Sequence, residues 1–198
     1  KKRGDARKKF STVEDYLKSL KTKVILEFSN DFNIPRIAQL TQKTNQFNLT
    51  TQRYTQEDIL HFHHSKEYVV MSIQVTDIYG DNGITGVCIV KQEGAYAFID
   101  TFLISCRIMG RNVEYAFLYT VVELLRAHGV KTINALYRKT EKNKAAVDFY
   151  PKAGFSVASE NENALSYRLD ESARLERYEH IETIVKGETL SWTETLCV

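Results

Sequence analysis

The chain has 198 residues, 43% of them hydrophobic and 11% aromatic, enough to bury one full core with a short appendage beside it. Its formal charge of +2 is too small for a strong phosphate-backbone footprint, which argues against nucleic acid as a main partner. No apolar run approaches the roughly 20 residues of a membrane span and no signal-peptide pattern is present, so the expectation is a soluble, cytoplasmic protein without a membrane partner.

Cys88, Cys106 and Cys197 are an odd number at wide spacing. They match neither a disulfide framework nor a zinc motif, so reduced thiols and no metal are expected. The first residue is Lys1, and residues 1–9 hold six basic residues against one acidic, which reads as a solvated linker continuing from a preceding domain. Ser11 is placed to cap a helix with Glu14 three residues later, and Tyr16, Leu17 and Leu20 give that helix a short apolar face. Residues 1–22 are therefore expected to be linker and helix, and the main domain to begin at residue 23.

The periodicity then switches repeatedly. Val24 to Phe28 alternates like a strand, and Pro35 opens a helix with Ile34, Ile37 and Leu40 on one side. Thr55 begins another helix with Asp58 as its capping-box partner, ending in the polar group His61, His63 and His64. Tyr68 to Tyr79 is a long β-rich run, Asp81-Asn82-Gly83 reads as a turn, and Ile84 to Lys91 is the returning strand. After Glu93-Gly94, Ala95 to Ser105 is dense in aromatic and β-branched residues, making a third antiparallel strand.

That strand runs into Cys106-Arg107-Ile108-Met109-Gly110-Arg111-Asn112 and a long helix whose apolar stripe includes Val113, Phe117, Val121 and Leu125. A tight loop opening a helix aims free backbone N–H groups and the positive end of a helix dipole at one point, where an anion such as phosphate binds. Gly110 would let a ligand approach the backbone, and Arg107 and Arg111 would add charge-assisted bonds. An ordinary strand-to-helix turn with exposed arginines is the alternative. Lys131 to Tyr137 is the next strand. Asn143 precedes a helix with Ala146, Val147, Phe149 and Tyr150 on one face, and Phe155 to Ala158 and Ala164 to Leu169 form a last hairpin. In the tail, residues 171–198, Leu175, Tyr178, Ile181, Ile184 and Val185 suggest a short helix or an extra strand. Trp192 needs a surface to cover, so the tail is expected to pack on the domain or on its partner.

This order of elements resembles the GNAT superfamily. Arg107, Gly110 and Asn112 occupy the positions of its acyl-CoA loop, Q/R-x-x-G-x-G/A, with Asn112 departing from the usual small residue. Asn143 and the string A-V-D-F-Y-P-K-A-G-F from Ala146 to Phe155 look like its second signature. The resemblance spans residues 24 to 170, and the GNAT-like domain is placed at residues 23–170. It implies an α/β fold with a mixed, mostly antiparallel sheet flanked by helices, and a coenzyme A or carrier-bound phosphopantetheine cofactor held by Arg107, Met109, Gly110, Arg111, Asn112 and Asn143. The arm would lie as a pseudo-strand between two splayed strands, Tyr96 to Ser105 and Thr132 to Tyr137.

A narrower resemblance rests on P-R-I-A-Q-L-T-Q-K-T-N-Q-F-N-L-T-T-Q-R-Y from Pro35 to Tyr54 and I-D-T-F-L-I-S-C-R-I-M-G from Ile99 to Gly110. Both look like the C-terminal part of FkbH-like proteins. In that family a HAD phosphatase-like domain precedes this region, and the pair loads a glyceryl or related acyl unit onto an acyl carrier protein. The resemblance implies those two partners, and Gln39, Lys43, Asn45, Asn48 and Arg53 as substrate-binding residues. Two chemistries stay open. In one, an acceptor attacks the thioester directly, with Asp77, Asp100 or the histidines as base and Tyr150 protonating the thiolate. In the other, Cys106 beside Arg107 carries the acyl group as a thioester. A docking module without chemistry and a plain acetyl-CoA-dependent N-acetyltransferase are the alternatives.

Overall fold

In the computed structural model residues 10–187 are described; the basic segment 1–9, Trp192 and Cys197 lie outside them. Helix α1 (Val13–Ser19) is capped by Thr12, whose side chain accepts from the Asp15 N–H at 3.0 Å. The sequence suggested Ser11 with Glu14, which has the same spacing one residue earlier. The observed phase buries both Leu17 and Leu20. Strand β1 (Lys23–Phe28) leads to α2 (Ile34–Lys43), where Pro35 sits in the first turn and its missing N–H loses no intrahelical bond. Helix α3 (Gln56–His64) starts on the Thr55–Asp58 capping box, and His61, His63 and His64 form its last turn.

Strands β2 (Tyr68–Asp77), β3 (Gly80–Glu93) and β4 (Tyr96–Ile104) form the antiparallel meander. Its first turn is at Ile78-Tyr79, earlier than Asp81-Asn82-Gly83, because the Asp77 carboxylate accepts the Tyr79 N–H at 2.8 Å and Asp77 pairs directly with Gly80. The later turn-type residues serve an irregular stretch of the ladder instead. Asn82 donates to the Val75 carbonyl, and Asp81 accepts from Gln74 and from the Gly83 N–H. Helix α4 (Val113–Ala127) crosses to β5 (Thr132–Arg138), parallel to β4.

The expected second-signature helix is broken. A 3₁₀ turn (Lys144–Ala146) precedes α5 (Phe149–Lys152), which stops at Gly154 with φ 95°. The break turns Val147 outward while Ala146, Phe149 and Tyr150 stay buried. Strands β6 (Ser156–Glu160) and β7 (Ala164–Asp170) follow, and the tail supplies β8 (Glu182–Lys186), parallel to β1. Among the described residues the strands form one eight-stranded sheet in the order β6-β7-β5-β4-β3-β2-β1-β8.

Alternation along the strands gives the sheet two packed faces. Phe102 and Ile104 join Phe117, Val121 and Phe149 on the face covered by α4 and α5, whereas Leu103 joins Ile37, Ile59, Val87 and Ile89 under α2 and α3. Fully buried side chains such as Leu26, Ile73 and Ile89 each contribute about 2 kcal/mol of burial energy. β4 and β5 pair only from Tyr96–Thr132 to Ile99–Ala135 and then diverge. The site lies in and beside that divergence.

Candidate active site at the end of β4

The wedge between the diverging strands is filled by the chain itself. Residues Phe47-Asn48-Leu49, in the connection between α2 and α3, run antiparallel to β4 with Asn48 bridged to Leu103. The Leu49 N–H donates to the Phe102 carbonyl at 3.1 Å, and the Ile104 N–H donates to the Phe47 carbonyl at 2.9 Å. On the other side the Arg138 N–H, at the end of β5, donates to the Leu49 carbonyl at 2.8 Å. Phe47 and Leu49 belong to the main core, with the Phe47 ring 5.0 Å from that of Phe149. Asn48 is fully buried; its amide donates to the Thr44 carbonyl and accepts from the Thr51 N–H.

Asn143 holds this segment rather than facing a free cleft. Its fully buried amide donates to the carbonyls of Asn48 and Arg138, both at 2.9 Å, and accepts from Thr140 and the Tyr137 hydroxyl. Every capacity of that amide is used.

The loop from Ser105 to Asn112 is anchored by the Ser105 N–H on the Thr85 carbonyl at 2.7 Å. Gly110, at φ 73°, and Asn112, at φ 64°, are both left-handed, a conformation that favours Gly at the first position and tolerates Asn at the second. Asn112 is the N-cap of α4 but makes no side-chain cap bond. Backbone hydrogen bonding from Gly110 and Glu114 instead lowers the pKa of the Glu114 carboxyl group. Burial raises the Glu114 pKa against these bonds and the Arg111 charge, and Oε2 has no partner among the described residues. In front of Gly110 and Asn112 a cavity of about 600 Å3 is rimmed by Glu14, Glu176 and Glu179 together with Lys18 and Arg177. Arg111 ties the loop down, bonding Asp77 at 2.9 Å and the Arg107 carbonyl at 2.6 Å. Met109 is half-buried against the core.

A different cavity, of about 390 Å3, opens where α2 meets the end of β4. It is lined by Arg36, Gln39, Lys43, Asn45, Ser105 and Cys106, with Leu40, Thr44 and Gln46 completing the wall. The Cys106 thiol is exposed. Arg36 bonds Gln39 and the Ile84 carbonyl, and Arg107 bonds the Ser105 hydroxyl at 3.4 Å. Burial, and then the neighbouring Arg107 charge, hold the Arg36 pKa below its ordinary value. Among the described residues no carboxylate pairs with Arg36, Lys43 or Arg107. Such a concentration of cations without a carboxylate partner favours an anionic ligand.

The structure thus brings Gln39, Lys43 and Asn45 to Cys106, and leaves the other expected groups elsewhere. Arg53 is turned into its own loop, donating to the carbonyls of Thr41 and Thr44 and to Asn45. The Asp77 side chain has no exposure and faces Arg111. Asp100 accepts the Tyr54 hydroxyl at 2.7 Å and that of Thr101 at 2.9 Å, and burial together with Asp100 pushes the Tyr54 hydroxyl up. Tyr150 is buried among Phe149, Phe155 and Tyr167, its hydroxyl has no partner among the described residues, and burial raises its pKa well above the ordinary value. His63 bonds the Ser29 hydroxyl at 2.9 Å. None of these lines the Cys106 cavity. Sequence reasoning missed Arg36, Phe47, Leu49 and Glu114. The alternation Phe47-Asn48-Leu49 is a short strand signal, while Glu114 looks like any acidic residue in a first helical turn.

No family model matches the sequence, and no curated protein is similar to it in sequence. Among solved structures, the ribosomal-protein-S18-alanine N-acetyltransferase from Escherichia coli superposes with a TM-score of 0.58 at 16% identity, over 78% of this chain and 98% of that one. The GNAT domain of S. lividans PAT gives 0.57 at 15% identity over 73% and 89%. The PaiA N-acetyltransferase from Thermoplasma acidophilum, solved in complex with coenzyme A, gives 0.53 at 12% over 74% and 98%. The chain has the GNAT fold.

Proposed function

We propose that this GNAT-fold chain is an acyltransferase that moves an acyl unit, glyceryl or closely related, to or from a pantetheine thiol of coenzyme A or an acyl carrier protein, through a thioester on Cys106. The observation that carries this reading is the exposed Cys106 thiol in a polar cavity with Arg36 and Lys43. The solved N-acetyltransferases of the same fold support acyl transfer as the reaction class. Direct transfer is less favoured, because Asp77, Asp100 and Tyr150 are occupied or buried away from the cavity.

In the proposed cycle the Cys106 thiolate attacks the carbonyl of an acyl phosphate, the C–S bond forms, and phosphate leaves with the C–O bond. A pantetheine thiolate then attacks the thioester, and Cys106 departs as thiolate. Arg36 and Lys43 stabilise the negative charge that builds on the carbonyl oxygen. A HAD phosphatase-like domain preceding the linker of residues 1–22 would handle the phosphate, and an acyl carrier protein would present the arm. The setting proposed is the cytoplasm.

A second reading, a docking module that binds the arm without chemistry, is favoured by the lack, among the described residues, of a carboxylate or histidine lining the Cys106 cavity. Intact-protein mass spectrometry separates the two. The chain is incubated with the HAD domain and an acyl phosphate such as 1,3-bisphosphoglycerate, then with phosphopantetheinylated carrier. A glyceryl adduct that Cys106→Ala abolishes, and that passes to the carrier, is expected. Carrier binding with no adduct establishes docking.

A further inference from the structure

The wedge that would receive a pantetheine arm in this fold is in use within the chain, and the loop that would face its phosphates has acidic side chains beside it. The wedge between β4 and β5 holds Phe47–Leu49, bonded to both strands in the manner of a paired strand. At the loop, the buried Glu114 carboxylate stands by the Gly110 backbone, and the cavity beyond is rimmed by Glu14, Glu176 and Glu179 with Lys18 and Arg177, a net negative rim that does not favour a pyrophosphate. These two features are independent of each other, since they lie on different segments.

The same short strand also builds something. It runs antiparallel to β4, so the residues that precede Phe47 lie beside those that follow Ile104. Those are Thr44, Asn45 and Gln46 on one side and Ser105 and Cys106 on the other, which are the facing walls of the 390 Å3 cavity. Asn143 fixes the arrangement by clamping the Asn48 carbonyl to that of Arg138.

We infer that residues 47–49 are a built-in replacement for the pantetheine arm, and that a thiol-bearing pantetheine ligand meets this chain at the Cys106 cavity on the α2 face instead of between β4 and β5. The side-chain amides of Gln39, Asn45 and Gln46 match the amide groups of that ligand. The cavity is within the range of about 300–1,000 Å3 common for small-molecule sites. The closed wedge stands on its own observations; the route to Cys106 rests on the proposed acyl chemistry.

Two measurements on the 198-residue chain test this. In the first, amide hydrogen exchange of Leu49, Ile104 and Arg138 is followed with and without saturating coenzyme A. Unchanged exchange is expected, whereas acceleration at these amides shows that the ligand displaces the strand and overturns the inference. In the second, the chain reacts with pantethine, the disulfide of pantetheine. The Cys106 thiolate attacks one sulfur, the new S–S bond forms as the old one breaks, and one pantetheine leaves as a thiolate that takes up a proton. Labelling at Cys106 at least severalfold faster than with hydroxyethyl disulfide is expected, with the preference lost in Gln39→Trp. Equal rates for the two disulfides overturn the cavity route. The acyl-capture experiment fails or succeeds separately: an adduct on Cys106 with deprotected strand amides sinks this inference alone, and protected amides without an adduct sink the acyl reading alone.

Discussion

The wedge between β4 and β5 and the cavity beside α2 lie on either side of one short strand, yet they are opposite in character. The wedge is dry and saturated: Leu49, Asn48 and Asn143 have no exposure, and their polar groups are matched by backbone and side-chain partners. The cavity is open and charged, with Arg36 and Lys43 lacking a carboxylate partner among the described residues and a thiol at its wall. A region whose hydrogen bonds are complete contributes stability, and a region whose charges are unbalanced contributes binding. The fold alone does not say which of the two does chemistry, because cofactor binding in other proteins of this fold does not fix it here.

The sharpest way to break the contrast is at the thiol. Cys106→Ala should reduce acyl transfer by roughly a thousandfold or more, read as carrier loading per minute. Its unfolding free energy in chemical denaturation should change by less than about 0.5 kcal/mol, as for an exposed site. On the wedge side the signature reverses. Leu49→Ala should cost about 3 kcal/mol through the cavity left in the core, visible as a lower urea midpoint. Asn143→Ala should cost about 2 kcal/mol by orphaning the carbonyls of Asn48 and Arg138. It should also speed amide exchange at Leu49 and Arg138, which a change in the α2 cavity would not do.

The smallest effect sharpens the picture at the loop. Burial raises the Glu114 pKa, so the folded chain keeps that proton to higher pH than the unfolded chain does. Stability therefore falls as pH rises from the ordinary carboxylate range through the folded pKa. Glu114→Gln removes this dependence while retaining an acceptor for the Gly110 N–H. The variant should be more stable by about 1 kcal/mol at neutral pH, with the gap closing as pH falls below the ordinary value of 4.5. Thermal unfolding at several pH values reads it directly.

Much of this was legible along the chain. The Thr55–Asp58 box, the Pro35 helix start, the three-stranded meander and the parallel strand after α4 all follow from local rules. Where the reading slipped, two signals of equal local strength competed. Ser11 and Thr12 are both good caps, and Asp77 and Asp81 both initiate turns, so neighbouring packing chose between them. The fragmented helix after Asn143 looked continuous, since Val147 is apolar but faces out.

The candidate site divides along the same line. Gln39, Lys43 and Asn45 reach the cavity because α2 presents them at helical spacing, a regularity visible in sequence. Asp77, Asp100 and Tyr150 are titratable in any context, and only their neighbours reveal that an arginine, a tyrosine hydroxyl and a ring of aromatics take them out of reach.

By itself, then, the sequence determined the order and type of the elements, the tight loop before α4 and the thiol at its start. These depend on residues close in the chain, where periodicity, capping and glycine conformation act. Only the tertiary structure decided that Phe47–Leu49 closes the wedge, that Glu114 meets the loop amides, and that Arg36 and Lys43 surround Cys106. Those outcomes join segments far apart in the chain or depend on which unpaired backbone groups are nearest, and a hydrogen-bond donor left free by one segment is satisfied by whatever the fold brings to it.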